Sequence, residues 1–224
     1  MSRSRRFAAL LLILFTLTGA GWWYGVHWRP DPDRYPVQGI DVSAATGEID
    51  WPMLKARGAD FAYIVATRGA AKRDVRFEAN WKAAAEAGMR RGAVHVYSLC
   101  ASARRQAANF VRTVPRNADA LPSALRLRFD PACSRRPERD DLIRQLALFL
   151  TLTERHMGKP MLIDISDDFE SRYAVTKSLP RTVWAERFFF TPGYAAKPWA
   201  VWRATRFLRV DGADEPVHWN VVTP

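Results

Sequence analysis

The stretch "FAYIVATRGAAKRDVRFEANWKAAAEAGMRRGAVHVYS", residues 61–98, decides the fold class. It opens on the apolar run "FAYIVAT" (61–67), short and rich in β-branched and aromatic residues, which reads as a buried strand. The alanine-rich "FEANWKAAAEAGM" (77–89) reads as a helix, with Gly88 as its stop signal. "GAVHVYS" (92–98) is again a short apolar strand. A strand, a covering helix and a second strand predict a parallel pair with a crossover connection.

The same alternation extends in both directions. "VQGIDVS" (37–43) is a strand before this unit. After it come a helix over 102–114 opened by Ser102, a strand "ALRLRF" (124–129) and a long amphipathic helix over 139–157. "KPMLIDIS" (159–166) is the fifth strand. A short helix begins at 167–174, with Asp167 and Glu170 at capping-box spacing. Three strands close the series: "TVWAERFFF" (182–190), "WAVWRAT" (199–205) and "WNVV" (219–222). There is no internal repeat and no low-complexity tract. Eight strands, with helices between the early ones and few late, predict an α/β fold with a closed but irregular barrel.

The N-terminus predicts where this barrel works. Residues 1–28 open with Arg3, Arg5 and Arg6 and continue uncharged from Phe7 to Val26. At about 1.5 Å per residue such a helix spans roughly 30 Å, one hydrocarbon core. The arginines predict a cytoplasmic N-terminus, and Trp22, Trp23, Tyr24 and Trp28 an aromatic belt at the far interface. A cleaved signal peptide, with Thr18 and Ala20 as a poor cleavage pair, is the alternative. Residues 29–36, proline-rich, read as a stiff linker to a domain over 37–224. Either way the domain is exported. The net charge is +11, of which the three arginines account for three, leaving +8 on the remainder. Such basicity alone fits nucleic acid, anionic lipid or an acidic polymer. Export excludes DNA and RNA as partners. Cys100 and Cys133 follow the third and fourth predicted strands, so adjacent parallel strands would bring both to one rim, within disulfide reach. Two unrelated buried thiols are the bland alternative.

One detail conflicts with an ordinary strand. In "LPSALRLRFD" (121–130) Arg126 and Arg128 sit two apart, so both point to the same side of a strand. Buried arginines require partners. Asp41 is the favoured counter-charge, and Asp130 is a second candidate.

Together, "GIDVS", "DVRFEANWKAAAEAGMRRGAVHVYS", "QAANFVRTV", "LPSAL", "GKPMLI", "VWAERF", "WAVWRAT" and "VHWNVV" resemble the family 25 glycoside hydrolases, the Chalaropsis-type lysozymes or N-acetylmuramidases. The resemblance runs in order over residues 37–222. It implies an irregular TIM-like (β/α)5(β)3 barrel with its site at the C-terminal strand ends. It also implies cleavage of the β-1,4 bond between N-acetylmuramic acid and N-acetylglucosamine in peptidoglycan, with no cofactor and no metal. The family uses a set of carboxylates. The first falls on Asp41, present here. The Asp-x-Glu pair ending the fourth strand falls on Arg126 and Arg128, the acid near the last strand falls on His218, and the acid following the second strand falls on Arg68.

Glycoside hydrolysis needs a proton donor and a negative group beside an oxocarbenium-like transition state. A guanidinium supplies neither. The sequence therefore predicts a membrane-anchored pseudoenzyme whose cleft is cationic unless Asp41 and its neighbours neutralise it, binding cell-wall glycan or another anionic envelope ligand. An active muramidase with a rearranged site, with Asp164 as the candidate relocated acid, is one alternative. A basic envelope protein that binds anionic lipid is another. Arg68, His95, Tyr97, Asp164, Trp184, Trp202 and Asn220 are candidate groove residues, with most tryptophans expected in the core. Asp167 and Asp168 read as capping and turn residues, and His95, His156 and His218 lack metal-ligand spacing. Protein partners are not legible.

Overall fold

A ring of eight strands organises the chain, and the computed structural model describes it from residue 3 to residue 224. The first two barrel strands, β1 (Gln38–Val42) and β2 (Phe61–Arg68), pair in parallel. Between them lie a single 3₁₀ turn (44–46) and α2 (Trp51–Ala56); α1 (Arg3–His27) precedes both. A two-residue β3 (Lys72–Arg73) folds back on β2 outside the ring. Then come α3 (Phe77–Glu86), β4 (Arg90–Val96), α4 (Ala103–Thr113), β5 (Ala124–Leu127), α5 (Arg139–Met157) and β6 (Leu162–Ile165). Two short helices, α6 (Asp167–Tyr173) and α7 (Val175–Ser178), lead to β7 (Val183–Glu186), β8 (Trp199–Leu208) and β9 (Val217–Val222). The sheet runs β1-β9-β8-β7-β6-β5-β4-β2, and the β1–β2 pairing closes it. Within the ring of eight, β9 is the strand that runs antiparallel to its neighbours, β8 and β1.

Alternation along the strands divides the core in two. Phe61, Tyr63, Val65, Val94, Val96, Ala124, Leu162, Trp184 and Val201 fill the barrel. The opposite parity, including Ile64, Leu125, Ile163 and Trp219, packs outward beneath helices and loops. Two glycines make the inner filling possible. A Cβ on Gly39 would lie 2.6 Å from the Phe61 ring, and one on Gly92 would lie 2.4 Å from the Tyr63 ring.

Several elements differ from the sequence expectation for local reasons. α2 was absent from it, yet Asp50 caps it by accepting from the Met53 N–H, and Pro52 sits in its first turn. Helix α6 begins from Ser166, which makes no side-chain cap. The expected Asp167–Glu170 capping box is absent, because Glu170 is buried and accepts instead from the Thr176 N–H and hydroxyl. The expected strand over 182–190 ends at Glu186; Arg187–Phe190 depart from regular strand geometry, although the Arg187 and Phe189 N–H groups still donate to the Arg203 and Ala204 carbonyls of β8. β5 ends at Leu127, so Arg128 lies just past it.

The apolar helix α1 is long and apolar enough to cross a bilayer, a property it shares with signal sequences. Its side chains from Leu10 to Tyr24 lie outside the core. Those of Arg3, Arg5 and Arg6, on which the expected orientation rests, lie outside the described residues. The segment 29–36 is tied to the barrel rather than loose. Gln38 Nε2 donates to the carbonyls of Pro30 (3.1 Å) and Tyr35 (2.9 Å), and the Tyr35 ring is buried against Trp199 and Trp202.

Candidate functional site

The inward parity carries apolar side chains for most of the barrel's depth and changes character near the C-terminal strand ends. There Asp41 from β1, Arg126 from β5, Asp164 from β6, Glu186 from β7, Arg203 from β8 and Asn220 from β9 converge, with Arg128 and His218 above them. The register explains the convergence. Arg126 lies beside Asp164, Glu186 beside Arg203, Arg203 beside Asn220, and Asp41 beside His218.

Arg203, fully buried, is the hub. Its Nε donates to Asp41 Oδ2 (2.8 Å), its Nη2 to Asp164 Oδ2 (2.9 Å), and its Nη1 to Asp164 Oδ1 (3.1 Å) and Glu186 Oε2 (3.3 Å). Arg126 bridges the same two aspartates, Nη2 to Asp41 Oδ1 and Nε to Asp164 Oδ2, each at 2.5 Å. Arg128 closes the upper layer, with Nη1 donating to Glu186 Oε1 at 2.7 Å and Nη2 to Asp164 Oδ1 at 3.4 Å. His218 Nδ1 and Asn220 Nδ2 donate to the two oxygens of Asp41, at 3.0 and 3.1 Å. Below, the guanidinium carbons of Arg203 and Arg126 lie 4.6 and 5.7 Å from the Trp184 ring centroid, cation–π distances. Trp184 Nε1 donates to Asn220 Oδ1 (3.2 Å).

Three guanidiniums thus meet three carboxylates, and the cluster's formal charge is zero. The condition under which the cleft would not be cationic is met, by Asp164 and Glu186 as well as Asp41. Burial alone would raise the Asp41 carboxyl, but Arg126, Arg203 and His218 hold it well below the usual carboxylate range. Asp164 is likewise raised by burial and lowered much further by Arg203, Arg126 and Arg128. Arg203 and Arg128 outweigh burial at Glu186 and lower it too. For Arg203 burial opposes the charge, yet Asp164 and Asp41 drive its pKa well above normal. All three carboxylates are locked in the ionised, proton-accepting form.

The remaining candidates divide clearly. Arg68 is half exposed at the rim, its Nη1 4.0 Å from Asp130, so neither joins the cluster. His95 faces outward beneath α4 and α5 and stacks on Phe149 (4.7 Å). Its Nε2 donates to Gln106 and its Nδ1 accepts from Thr67, while burial pushes the imidazole down to about 4. Tyr97 packs on the same Phe149. Trp202 is buried among Trp28, Tyr35 and Trp199 on the outer side, its Nε1 donating to the Arg187 carbonyl. His156 bonds the Val114 carbonyl on the barrel's flank. Asp167 and Asp168 are exposed in the first turn of α6. Cys100 and Cys133 form a disulfide at the rim, with Cα atoms 5.9 Å apart. Sequence reasoning missed Arg203 and Glu186. The signal existed: each is a charge at inward parity in a largely apolar strand, as Arg126 is.

Next to the cluster a cavity of about 200 Å³ is bounded by Asp41, Ser43, Ala45, Val65, Arg126 and His218.

Residues 40–213 match the family model described as glycosyl hydrolases family 25. The uncharacterised protein YegX of Escherichia coli K12 is 29% identical over 196 residues, spanning 85% of this chain and 71% of that protein. Lysozyme M1 of Streptomyces globisporus is 38% identical over 104 residues, 45% of this chain and 35% of that enzyme. A family 25 glycosyl hydrolase from Bacillus anthracis superposes with a TM-score of 0.79 at 28% identity, covering 88% of this chain and 92% of that one. A bacterial lysozyme from Streptomyces coelicolor gives 0.75 at 25% identity, covering 84% and 92%.

Proposed function

Because the chain belongs to glycosyl hydrolase family 25, we propose that it is a membrane-anchored, exported protein that holds peptidoglycan without hydrolysing it. Residues 1–28 are the anchor with its N-terminus cytoplasmic, 29–36 the connector, and 37–224 the glycan-binding barrel. Counted as strand–helix units, the barrel is (β/α)5(β)3, the short helices after β6 making the fifth. The Cys100–Cys133 bond fits an oxidising compartment outside the cytoplasm.

One observation carries the non-hydrolytic reading: all three carboxylates of the cluster, Asp41, Asp164 and Glu186, are ion-paired and held below their ordinary pKa. A general acid for glycosidic cleavage must be protonated when it meets the leaving oxygen, so its pKa must be raised. Here the environment acts in the opposite direction at all three positions. Arg126 and Arg128, at the positions matching the family's Asp-x-Glu pair, are guanidiniums, which do not serve as the carboxylic proton donor a leaving oxygen needs. The cluster is charge-neutral, so the cavity beside Asp41 offers a neutral, hydrogen-bonding surface suited to a sugar rather than an anion trap.

Cosedimentation of the full chain in detergent with purified sacculi, followed by measurement of released reducing ends, tests both halves. Binding with no release is expected. Release that grows with added protein and is lost in Asp41→Asn, with the near-UV spectrum unchanged, overturns the non-hydrolytic half. Failure to sediment with sacculi overturns the binding half.

A further inference from the structure

The anchor does not simply lead into the barrel. The Arg209 N–H donates to the Val26 carbonyl at 2.8 Å, in the last turn of α1. Phe189 Cζ lies 4.0 Å from where a Cβ on Gly25 would stand, and the Trp28 ring is 5.0 Å from that of Phe189. The segment after β7 and the end of β8 therefore sit level with residues 25–28, the end of α1 and Trp28 just beyond it, immediately after the aromatic Trp22–Trp23–Tyr24.

That segment begins Arg187-Phe188-Phe189-Phe190. Phe189 has φ +66°, a left-handed conformation costly for a bulky residue. The turn takes the three rings out of the sheet. Phe190 is 67% exposed and Phe207 37%, and Phe188 and Phe189 pack on Phe207. Guanidiniums flank the rings: Arg187 lies 5.9 Å from the centroid of Phe190, and Arg206 5.1 Å from those of Phe188 and Phe207. Arg209 is exposed beside them, and no Asp or Glu occurs from Arg187 to Arg209. Exposed aromatic rings bordered by arginines, without acids, is the composition that settles at the boundary of acyl chains and phosphate headgroups.

We propose that this patch is a second membrane contact, resting on the exported leaflet of the bilayer that α1 enters. The phenyl rings lie at the acyl–headgroup boundary and Arg187, Arg206 and Arg209 on lipid phosphates. The inference rests on α1 being an anchor. The occupant is lipid because α1 brings the bilayer surface to the height of Phe189. Glu186, at the mouth, immediately precedes the patch, so the contact holds the mouth at a fixed height and tilt over the membrane.

Single nitroxide labels in the full chain test this, since Cys100 and Cys133 are already bonded to each other. Leu12→Cys reports on α1, Phe190→Cys on the patch, and Ala118→Cys on the loop before β5 at the barrel's opposite end. In nanodiscs of phosphatidylcholine with phosphatidylglycerol, relaxation by oxygen and by a water-soluble nickel chelate distinguishes lipid from water. Positions 12 and 190 are expected to favour oxygen and position 118 nickel, and Arg187→Glu with Arg206→Glu to reverse position 190 alone. Lipid contact at 12 with water contact at 190 overturns the patch while the anchor stands. Water contact at 12 overturns both, and identifies the anchor as the failed premise.

Discussion

Replacing Arg203 with Met measures what the charged layer contributes. Arg203 is the sole residue bonded to all three carboxylates, and its side chain is wholly buried. Met occupies much of its volume, so the cavity left is small. What remains is three carboxylates with two guanidiniums, those of Arg126 and Arg128, and with the part-exposed His218 beside Asp41, so the buried layer is left one cation short. Removing one member of a buried ion pair costs about 3–5 kcal/mol. In a chain of this size each kcal/mol shifts Tm by roughly 2–4 °C, so a fall of roughly 6–20 °C is expected. The pH dependence has a definite sign. In the parent the acids have depressed pKa values, so their stabilisation is present above the ordinary carboxylate range and lost as pH falls through the folded values. In the variant burial is no longer outweighed, at least one carboxyl rises above its unfolded value, and protonation relieves it. The stability gap between parent and variant should narrow from pH 7 to pH 4. Thermal unfolding followed by near-UV circular dichroism reads this directly. A Tm change under about 2 °C, the same at both pH values, would refute the reasoning by showing that the cluster is effectively solvated.

Restoring the family's acids by Arg126→Asp with Arg128→Glu would set five carboxylates against Arg203 alone, so loss of cooperative unfolding is expected rather than gain of hydrolysis, as read by the same melts. Reduction of Cys100–Cys133 opens a loop of sequence separation 33. The chain-entropy model puts this at about 4 kcal/mol, visible as a lower urea midpoint with dithiothreitol than without. Ala45→Trp, at an exposed position on the cavity wall, should abolish cosedimentation with sacculi while leaving Tm within a few degrees of the parent.

The barrel was legible because its signals are local and repeated. Each strand is a short apolar run, α3 ends on Gly88 with φ +67°, and Gly39 and Gly92 stand where the inner rings of Phe61 and Tyr63 leave no room for a Cβ. Boundaries failed where one side chain decides them. "RFFF" has every local mark of strand, yet Phe188 to Phe190 depart from regular strand geometry toward α1 and Phe207, a tertiary effect no local window contains. The cluster was half legible. Two arginines on one strand face demanded acids, and Asp41 was the obvious one. Asp164 was a candidate acid with no partner assigned, while Glu186 looks like an ordinary strand terminus and Arg203 like a lone charge in a strand, until the ring closes and sets β8 beside β7 and β9. Conversely His95, Tyr97 and Trp202 were plausible groove residues by type and lie on the wrong parity.

The sign of the electrostatics ties the fold to its use. A retaining or inverting glycosidase keeps two carboxyls in different states, one protonated by its surroundings and one ionised. Such a difference needs unequal environments. Here Arg203 and Arg126 each grip both Asp41 and Asp164, so the two acids share their cations and are lowered together. Displacing Arg203 or Arg126 alone would weaken the hold on both acids together, since each guanidinium bonds both. Arg128 repeats the arrangement between Asp164 and Glu186. The layer that in a hydrolase would be poised to exchange a proton is here a charge-neutral network across the barrel. Under the non-hydrolytic reading proposed above, recognition would fall to the cavity at its edge and to the exposed rim.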